Sequence, residues 1–126
     1  IVELGISNTF FPHGLGHQLG TCVHDTAGNY KNASGEQYER PNLEAFRHLR
    51  SLRPLASRQV VTIEPGFYFN SGKLQEASAQ ASTSQYFNWQ LIEELRPFGG
   101  ARYEDDILVK QHGFENLSAD AFKNAK

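Results

Sequence analysis

The chain has 126 residues, 39% of them apolar, with 12 lysines and arginines against 14 aspartates and glutamates, so its net charge is −2. This length fits one compact domain, and the balanced charge excludes the basic stripe that attracts nucleic-acid phosphates. Apolar runs are far shorter than the roughly 18 residues of a membrane-spanning helix. We therefore expect neither a nucleic-acid partner nor a membrane partner.

The numbers of cysteines and methionines indicate the cellular compartment and whether the chain is part of a longer protein. The single cysteine, Cys22, has no partner for an internal disulfide, which favours a reducing, cytoplasmic location. The sequence contains no methionine and starts at Ile1. We therefore expect this chain to be a fragment of a longer protein, termed the parent protein.

The first third of the chain predicts little regular structure. Residues 1–11 are typical of the end of one element followed by an extended segment, and the glycines within 12–20 favour irregular backbone. Residues 26–42 are polar and rich in turn formers, which predicts a surface loop.

The middle of the chain alternates between strand and loop patterns. Apolar alternation predicts a strand over 48–55, and β-branched and aromatic residues predict a second over 59–69, with a bend at Glu64 where Pro65-Gly66 interrupts it. Residues 71–85 are rich in serine, alanine and glutamine, which predicts a flexible insertion.

The last third predicts one helix, one strand and a terminal helical turn. Residues 88–95 indicate a short helix with Asn88 as its N-cap. The apolar run 107–109, inside 101–110, predicts a buried strand, and 118–124 a helical turn capped by Ser118. With neither a repeat nor a second domain, this mixture predicts one α+β domain.

Three histidines lie close together in a glycine-rich segment. His13, His17 and His24 fall within twelve residues, in and just after the motif HGLGHQLG. Imidazole is a common metal ligand and titrates near neutrality, and glycine lets backbone approach an ion closely. A lone histidine is usually structural, but three beside several glycines favour a functional site.

Two carboxylates stand where a strand meets a breaker: Glu64 in VVTIEPG and Glu104 in GGARYEDD. A carboxylate in an apolar strand is costly unless a cation or a hydrogen-bond donor compensates it. Taken singly, each has a simpler interpretation. Glu64 would face water at a strand end, and Glu104 would pair with Arg102 in a hairpin.

Together these motifs carry a family resemblance. HGLGHQLG with VHD, then TIEPGFYF, then NWQLIEELRPFGGARYEDDILV resemble, in that order, the C-terminal half of bacterial Xaa-Pro dipeptidases, or prolidases. These metallopeptidases share the pita-bread fold with aminopeptidase P and methionine aminopeptidase. The resemblance covers residues 9–116 and implies the C-terminal part of a pita-bread domain, mainly antiparallel curved sheet with short helices, over 1–126. The upstream half would be absent.

The resemblance implies a centre of two divalent ions, Mn²⁺ first, with Co²⁺, Zn²⁺ or Mg²⁺ as alternatives. His17 would bind one ion, Glu104 would bridge both, and Glu64 would be a ligand and the base that takes a proton from the attacking water. An oxygen-rich ligand set suits such ions, and paired ions activate water for amide hydrolysis.

Further residues would complete the site on the substrate side. The resemblance implies that His13 and His24 line it and that Arg102 contacts the substrate carboxylate or supports the ligands. The family's other two metal ligands are aspartates further upstream, and none of the sixteen residues before His17 is an aspartate. The chain would thus carry three of five ligands.

The implied activity is metal-dependent hydrolysis of Xaa-Pro dipeptides by the parent protein, as a homodimer, with the isolated fragment inactive. Three alternatives remain open on the same fold: hydrolysis of organophosphorus triesters, aminopeptidase P-like cleavage of longer peptides, and a non-catalytic binding module. Cys22 is interpreted as a small, semi-buried residue, because no pattern indicates an acyl-enzyme nucleophile.

Overall fold

A computed structural model of the protein describes residues 3–41 and 48–125. Two short 3₁₀ turns, Thr26–Asn29 and Arg96–Phe98, accompany the main elements. The helices are α1 (Ser7–Phe10), α2 (Ser71–Ala79), α3 (Ala81–Ser84), α4 (Trp89–Leu95) and α5 (Leu117–Asn124), and the strands are β1 (Val60–Ile63), β2 (Gly66–Tyr68), β3 (Gly100–Arg102), β4 (Asp105–Val109) and β5 (Phe114–Asn116).

All named strands pair antiparallel, which confirms the predicted α+β class. The chain divides into two compact units. We call Ile1–His13 with Gly66–Arg102 the helical unit, and Gly14–Pro65 with Tyr103–Lys126 the sheet unit. No helix in the described part of the chain is long and apolar enough to cross a membrane.

The sheet unit is built on a three-stranded sheet in the order β1-β4-β5. Its β1 consists of β-branched residues, which fit a pleated and partly buried surface. Val61 and Thr62 are its buried positions. α5 follows β5 directly and begins where the Asn116 side chain accepts a hydrogen bond from the backbone of Ala119.

The helical unit contains the β2–β3 pair and α1 to α4. Leu74, Ala77 and Ile92 are its buried apolar side chains. An aromatic cluster surrounds Phe10, whose ring stacks on Phe67 with centroids 4.5 Å apart. Such ring pairs add to the packing of the unit.

Several predicted elements are confirmed. The run 59–69 forms β1 and β2, interrupted at residues 64–65. The helix expected at 88–95 is α4, and the Asn88 side chain accepts from the backbone N–H of Leu91. The expected loop 26–42 contains only a 3₁₀ turn and an isolated bridge, with residue 42 outside the described residues.

Two element predictions are wrong. Residues 48–55 form no strand in their described structure, because the backbone N–H groups of Leu52 and Arg53 both donate to the Gly28 carbonyl instead of a ladder. The supposed insertion 71–85 contains α2 and α3. Its polar composition gave no signal of the two buried apolar positions, Leu74 and Ala77.

Four finer predictions also need correction. Asn116, not Ser118, caps α5, because the Ser118 hydroxyl accepts from the backbone of Asp106. The strand residues 107–109 are half-buried instead of buried. Cys22 is exposed, not semi-buried. The segment expected to be extended before Phe11 contains the single turn α1, and residues 1–2 lie outside the described residues.

Candidate metal centre

The HGLGHQLG segment runs antiparallel beside β1. The backbone of Thr62 donates to the His17 carbonyl at 2.9 Å, and that of Glu64 donates to the Leu15 carbonyl at 2.7 Å. A side chain at Gly16 would overlap the Thr62 carbonyl, so only glycine allows this close approach. The glycine-rich motif thereby brings His17 and Glu64 to neighbouring positions.

Strand register places the second carboxylate, that of Glu104, beside Glu64. β1 and β4 are paired up to Ile63 opposite Asp105. One step further along this register, Glu64 comes opposite Glu104. Cross-strand neighbours on one face lie within about 5.5 Å of each other, so the sheet places the two glutamates side by side.

The three predicted ligands converge. His17, Glu64 and Glu104 each offer one ligand atom, and these atoms all lie within 4.8 Å of one another. His17 is 3% exposed and Glu64 is 8% exposed, whereas Glu104 is exposed. The His17 Nε2 atom lies 3.3 Å from the Glu64 Oε1 atom.

The donor chemistry fits a cation. The Nδ1 atom of His17 lies 3.1 Å from the Gln18 carbonyl, which can only accept, so Nδ1 donates to it and Nε2 is the nitrogen that could bind a metal ion. A metal-binding histidine is typically held this way. One imidazole with two carboxylates suits a divalent ion.

Thr62 supports the candidate ligands, and the sequence did not predict it. Its side chain is 1% exposed, accepts from the His17 backbone at 3.0 Å and donates to Glu64 Oε1 at 3.3 Å. Residues two apart on a strand share a face, so the spacing of Thr62 and Glu64 was a usable signal. Thr62 links the two buried ligands.

His24 lies beside the ligands in the sheet unit. Its ring packs edge-on against His17, with centroids 4.5 Å apart and planes at 88°. The loop between Gln18 and His24 is closed by the backbone N–H of Asp25, which donates to the Gln18 carbonyl at 3.1 Å. His24 also lines a polar cavity of about 400 Å³, together with Arg40 and Arg50.

The other two predicted residues, His13 and Arg102, belong to the helical unit. The His13 Nε2 atom and the Tyr68 hydroxyl share a hydrogen bond of 3.1 Å. Arg102 lies opposite Gly66 on the β2–β3 pair, so it shares a face with Tyr68. The structure thus groups His24 with the three ligands in one unit, and describes His13 and Arg102 in the other.

Comparison with known proteins defines the class. The sequence profile of metallopeptidase family M24 matches residues 1–111. The chain belongs to metallopeptidase family M24.

Individual relatives show which members of the family the chain resembles. The chain is 49% identical over 121 residues to an Xaa-Pro dipeptidase of Glaesserella parasuis serovar 5 (strain SH0165), and 45% identical over 120 residues to one of Shewanella amazonensis (strain ATCC BAA-1098 / SB2B). These matches cover 96% and 95% of the chain but only 27% of each relative. The chain therefore spans about a quarter of the length of the curated relatives it matches.

Solved structures give the same class. An Asp-to-Ala variant of Escherichia coli aminopeptidase P matches with a TM-score of 0.53 and 30% identity, over 94% of this chain and 19% of that chain. The zinc-substituted E. coli aminopeptidase P in complex with product matches with a TM-score of 0.51 and 28% identity, with the same coverages. Both likenesses support the pita-bread assignment.

Proposed function

We propose that the parent protein is a metal-dependent peptidase that hydrolyses Xaa-Pro dipeptides. The observation that carries this proposal is the convergence of His17, Glu64 and Glu104 from three distant stretches of the chain. Membership of family M24 and the dipeptidase relatives support the same activity.

The proposed cofactor is a pair of divalent ions, with Mn²⁺ the first choice. Two of the three donors are carboxylates, and hard oxygen ligands suit Mn²⁺. Bound ions polarise a carbonyl and activate a water as nucleophile. The zinc-substituted aminopeptidase P supports a divalent metal in the family, and Co²⁺, Zn²⁺ and Mg²⁺ remain alternatives for this chain.

Residues of the chain would transfer the proton, orient the substrate and stabilise the developing charge. Glu64, held by Thr62, would receive the proton of the attacking water and pass it to the leaving amine. His24, exposed beside the open polar cavity, would orient the peptide and stabilise charge that develops on the carbonyl oxygen. His13 would line the substrate side, and Arg102 would contact the substrate carboxylate.

The site proposed for this chain is partial. Since the chain spans 27% of its relatives' length, we propose that upstream residues of the parent protein supply two further carboxylate ligands. On its own, the chain would bind one ion weakly. A cytoplasmic location and a homodimeric parent protein also remain proposals, the first supported by the single cysteine.

A second candidate activity is aminopeptidase P-like removal of a residue that precedes proline in a longer peptide. The solved structures that resemble the chain are aminopeptidase P, which favours this alternative specifically. Comparing kcat/KM of the parent protein for Ala-Pro and for Ala-Pro-Ala decides between the two. A preference for the dipeptide supports the first proposal.

The test of the chemistry is the Glu64→Gln variant of the parent protein, assayed on Ala-Pro with added Mn²⁺. Losing a general base costs about 10²–10⁴ in rate, so we expect kcat to fall at least a hundredfold. The matched control is Glu39→Gln, which changes an exposed loop carboxylate and should leave kcat unchanged. A Glu64→Gln variant that turns over at the normal rate would contradict the proposal.

A further inference from the structure

The ring of Tyr68 lies in a slot formed by two glycines of the helical unit. A Cβ at Gly66 would lie 2.5 Å from the Tyr68 hydroxyl, and one at Gly100 would lie 2.9 Å from its Cδ1 atom. Neither distance occurs between real side chains, so both positions require glycine as long as the ring stays there. Gly100 is also the register partner of Tyr68 across the β2–β3 pair.

This slot fixes the direction of the hydroxyl. Tyr68 is flanked by Phe67 and Phe69, which pack with Phe10 in the aromatic cluster. Successive residues of a strand point to opposite faces, so Tyr68 faces away from that cluster. Its hydroxyl shares the 3.1 Å hydrogen bond with His13 Nε2.

The His13 imidazole is held by two rings as well as by that bond. Phe11 packs edge-on against it with centroids 4.7 Å apart, and Tyr68 does so at 5.5 Å. Packing limits where the ring lies, and a hydrogen bond to one ring nitrogen distinguishes the two orientations related by a flip about the Cβ–Cγ bond. The hydroxyl contact selects one of the two orientations.

We propose that Tyr68 is a positioning residue, which holds the His13 imidazole in a single orientation for substrate binding. This inference rests on the proposed function, since it assigns His13 to the substrate side. A phenylalanine at position 68 would fill the same slot between Gly66 and Gly100. The hydroxyl is therefore the group that does the positioning, and it can be removed without changing the packing.

The test is a double-mutant cycle in the parent protein, with Ala-Pro as substrate and Mn²⁺ present. Tyr68→Phe should lower kcat/KM about tenfold, the effect of one lost hydrogen bond to a positioned group. In a His13→Ala background the same change should alter kcat/KM less than twofold, because coupled residues are not additive. The control Tyr86→Phe removes a hydroxyl from a residue that is 61% exposed in the same unit, and should have no effect.

A second readout does not depend on activity. In the metal-free parent protein with ¹⁵N-labelled histidine, Tyr68→Phe should shift the Nε2 resonance of His13, assigned from the His13→Ala spectrum, and leave that of His24 in place. An unchanged His13 resonance, or a tenfold loss that persists in the His13→Ala background, would overturn the inference. A parent protein that fails to cleave Ala-Pro would refute the proposed function instead, and the spectrum would still decide whether Tyr68 orients His13.

Discussion

At the scale of single residues, a buried hydroxyl connects two of the three candidate metal ligands. Thr62 bonds the His17 backbone and the Glu64 carboxylate with one side chain. Groups that orient metal ligands typically contribute a factor of about 10–100 in metal affinity. Thr62 should therefore affect binding of the ion without touching it.

Replacing Thr62 by valine tests this role. The change keeps the shape but removes a buried acceptor and donor, and leaves Glu64 without that bond. We expect the Mn²⁺ dissociation constant of the parent protein, measured by titration calorimetry, to rise about 10–100-fold.

Thr83 provides the matched control, since it is also buried but lies in the helical unit, where its hydroxyl donates to the Gln80 carbonyl. Thr83→Val should leave Mn²⁺ affinity unchanged. Equal losses for both valine variants would mean that Thr62 acts through general stability and not through the ligands.

The sequence predicts the candidate metal ligands better than the residues that hold site side chains in place. The resemblance singled out His17, Glu64 and Glu104, and the structure brings their ligand atoms together. The sequence did not predict Thr62 and Tyr68, because the role of each depends on which residues lie beside it in the folded chain. The helix N-cap Asn88 was predictable, since a cap bonds within its own turn.

At the scale of elements, strand register does most of the positioning. Glu64 and Glu104 are forty residues apart, yet the β1–β4 pairing brings them opposite each other. A register slip by one residue would turn one carboxylate to the other face of the sheet. The pattern of apolar residues predicted these strands, but it did not specify which strand pairs with which.

Composition misled the prediction where capping and burial decide the structure. The serine- and alanine-rich run 71–79 forms α2, whose start is fixed by the Asn70 side chain accepting from the backbone of Lys73 at 3.1 Å. Alanine itself favours helix. The combination of a cap and two buried positions outweighs the polar average.

The Asn70 N-cap of α2 gives a prediction at the scale of elements. Asn70→Ala should cost α2 about 1 kcal/mol, which speeds hydrogen exchange of its amides about fivefold if exchange occurs by local opening. Mass-spectrometric exchange on the parent protein measures this. Asn88→Ala is the crossed control, which should speed exchange in α4 and leave α2 unchanged; faster exchange in both helices with either variant would contradict local capping.

At the scale of the whole molecule, the chain exposes large apolar side chains in both of its compact units. Phe98, Phe114 and Phe122 are all exposed. The chain spans 27% of the length of its dipeptidase relatives. Exposed apolar side chains favour association, so we expect other parts of the parent protein or a second copy to cover them.

The most direct test is a crystal structure of the parent protein soaked with Mn²⁺, using anomalous diffraction at the manganese edge. We predict an anomalous peak in contact with His17 Nε2 and with a carboxylate oxygen of both Glu64 and Glu104. A fully loaded protein whose manganese peaks touch none of these three side chains would contradict the proposed centre.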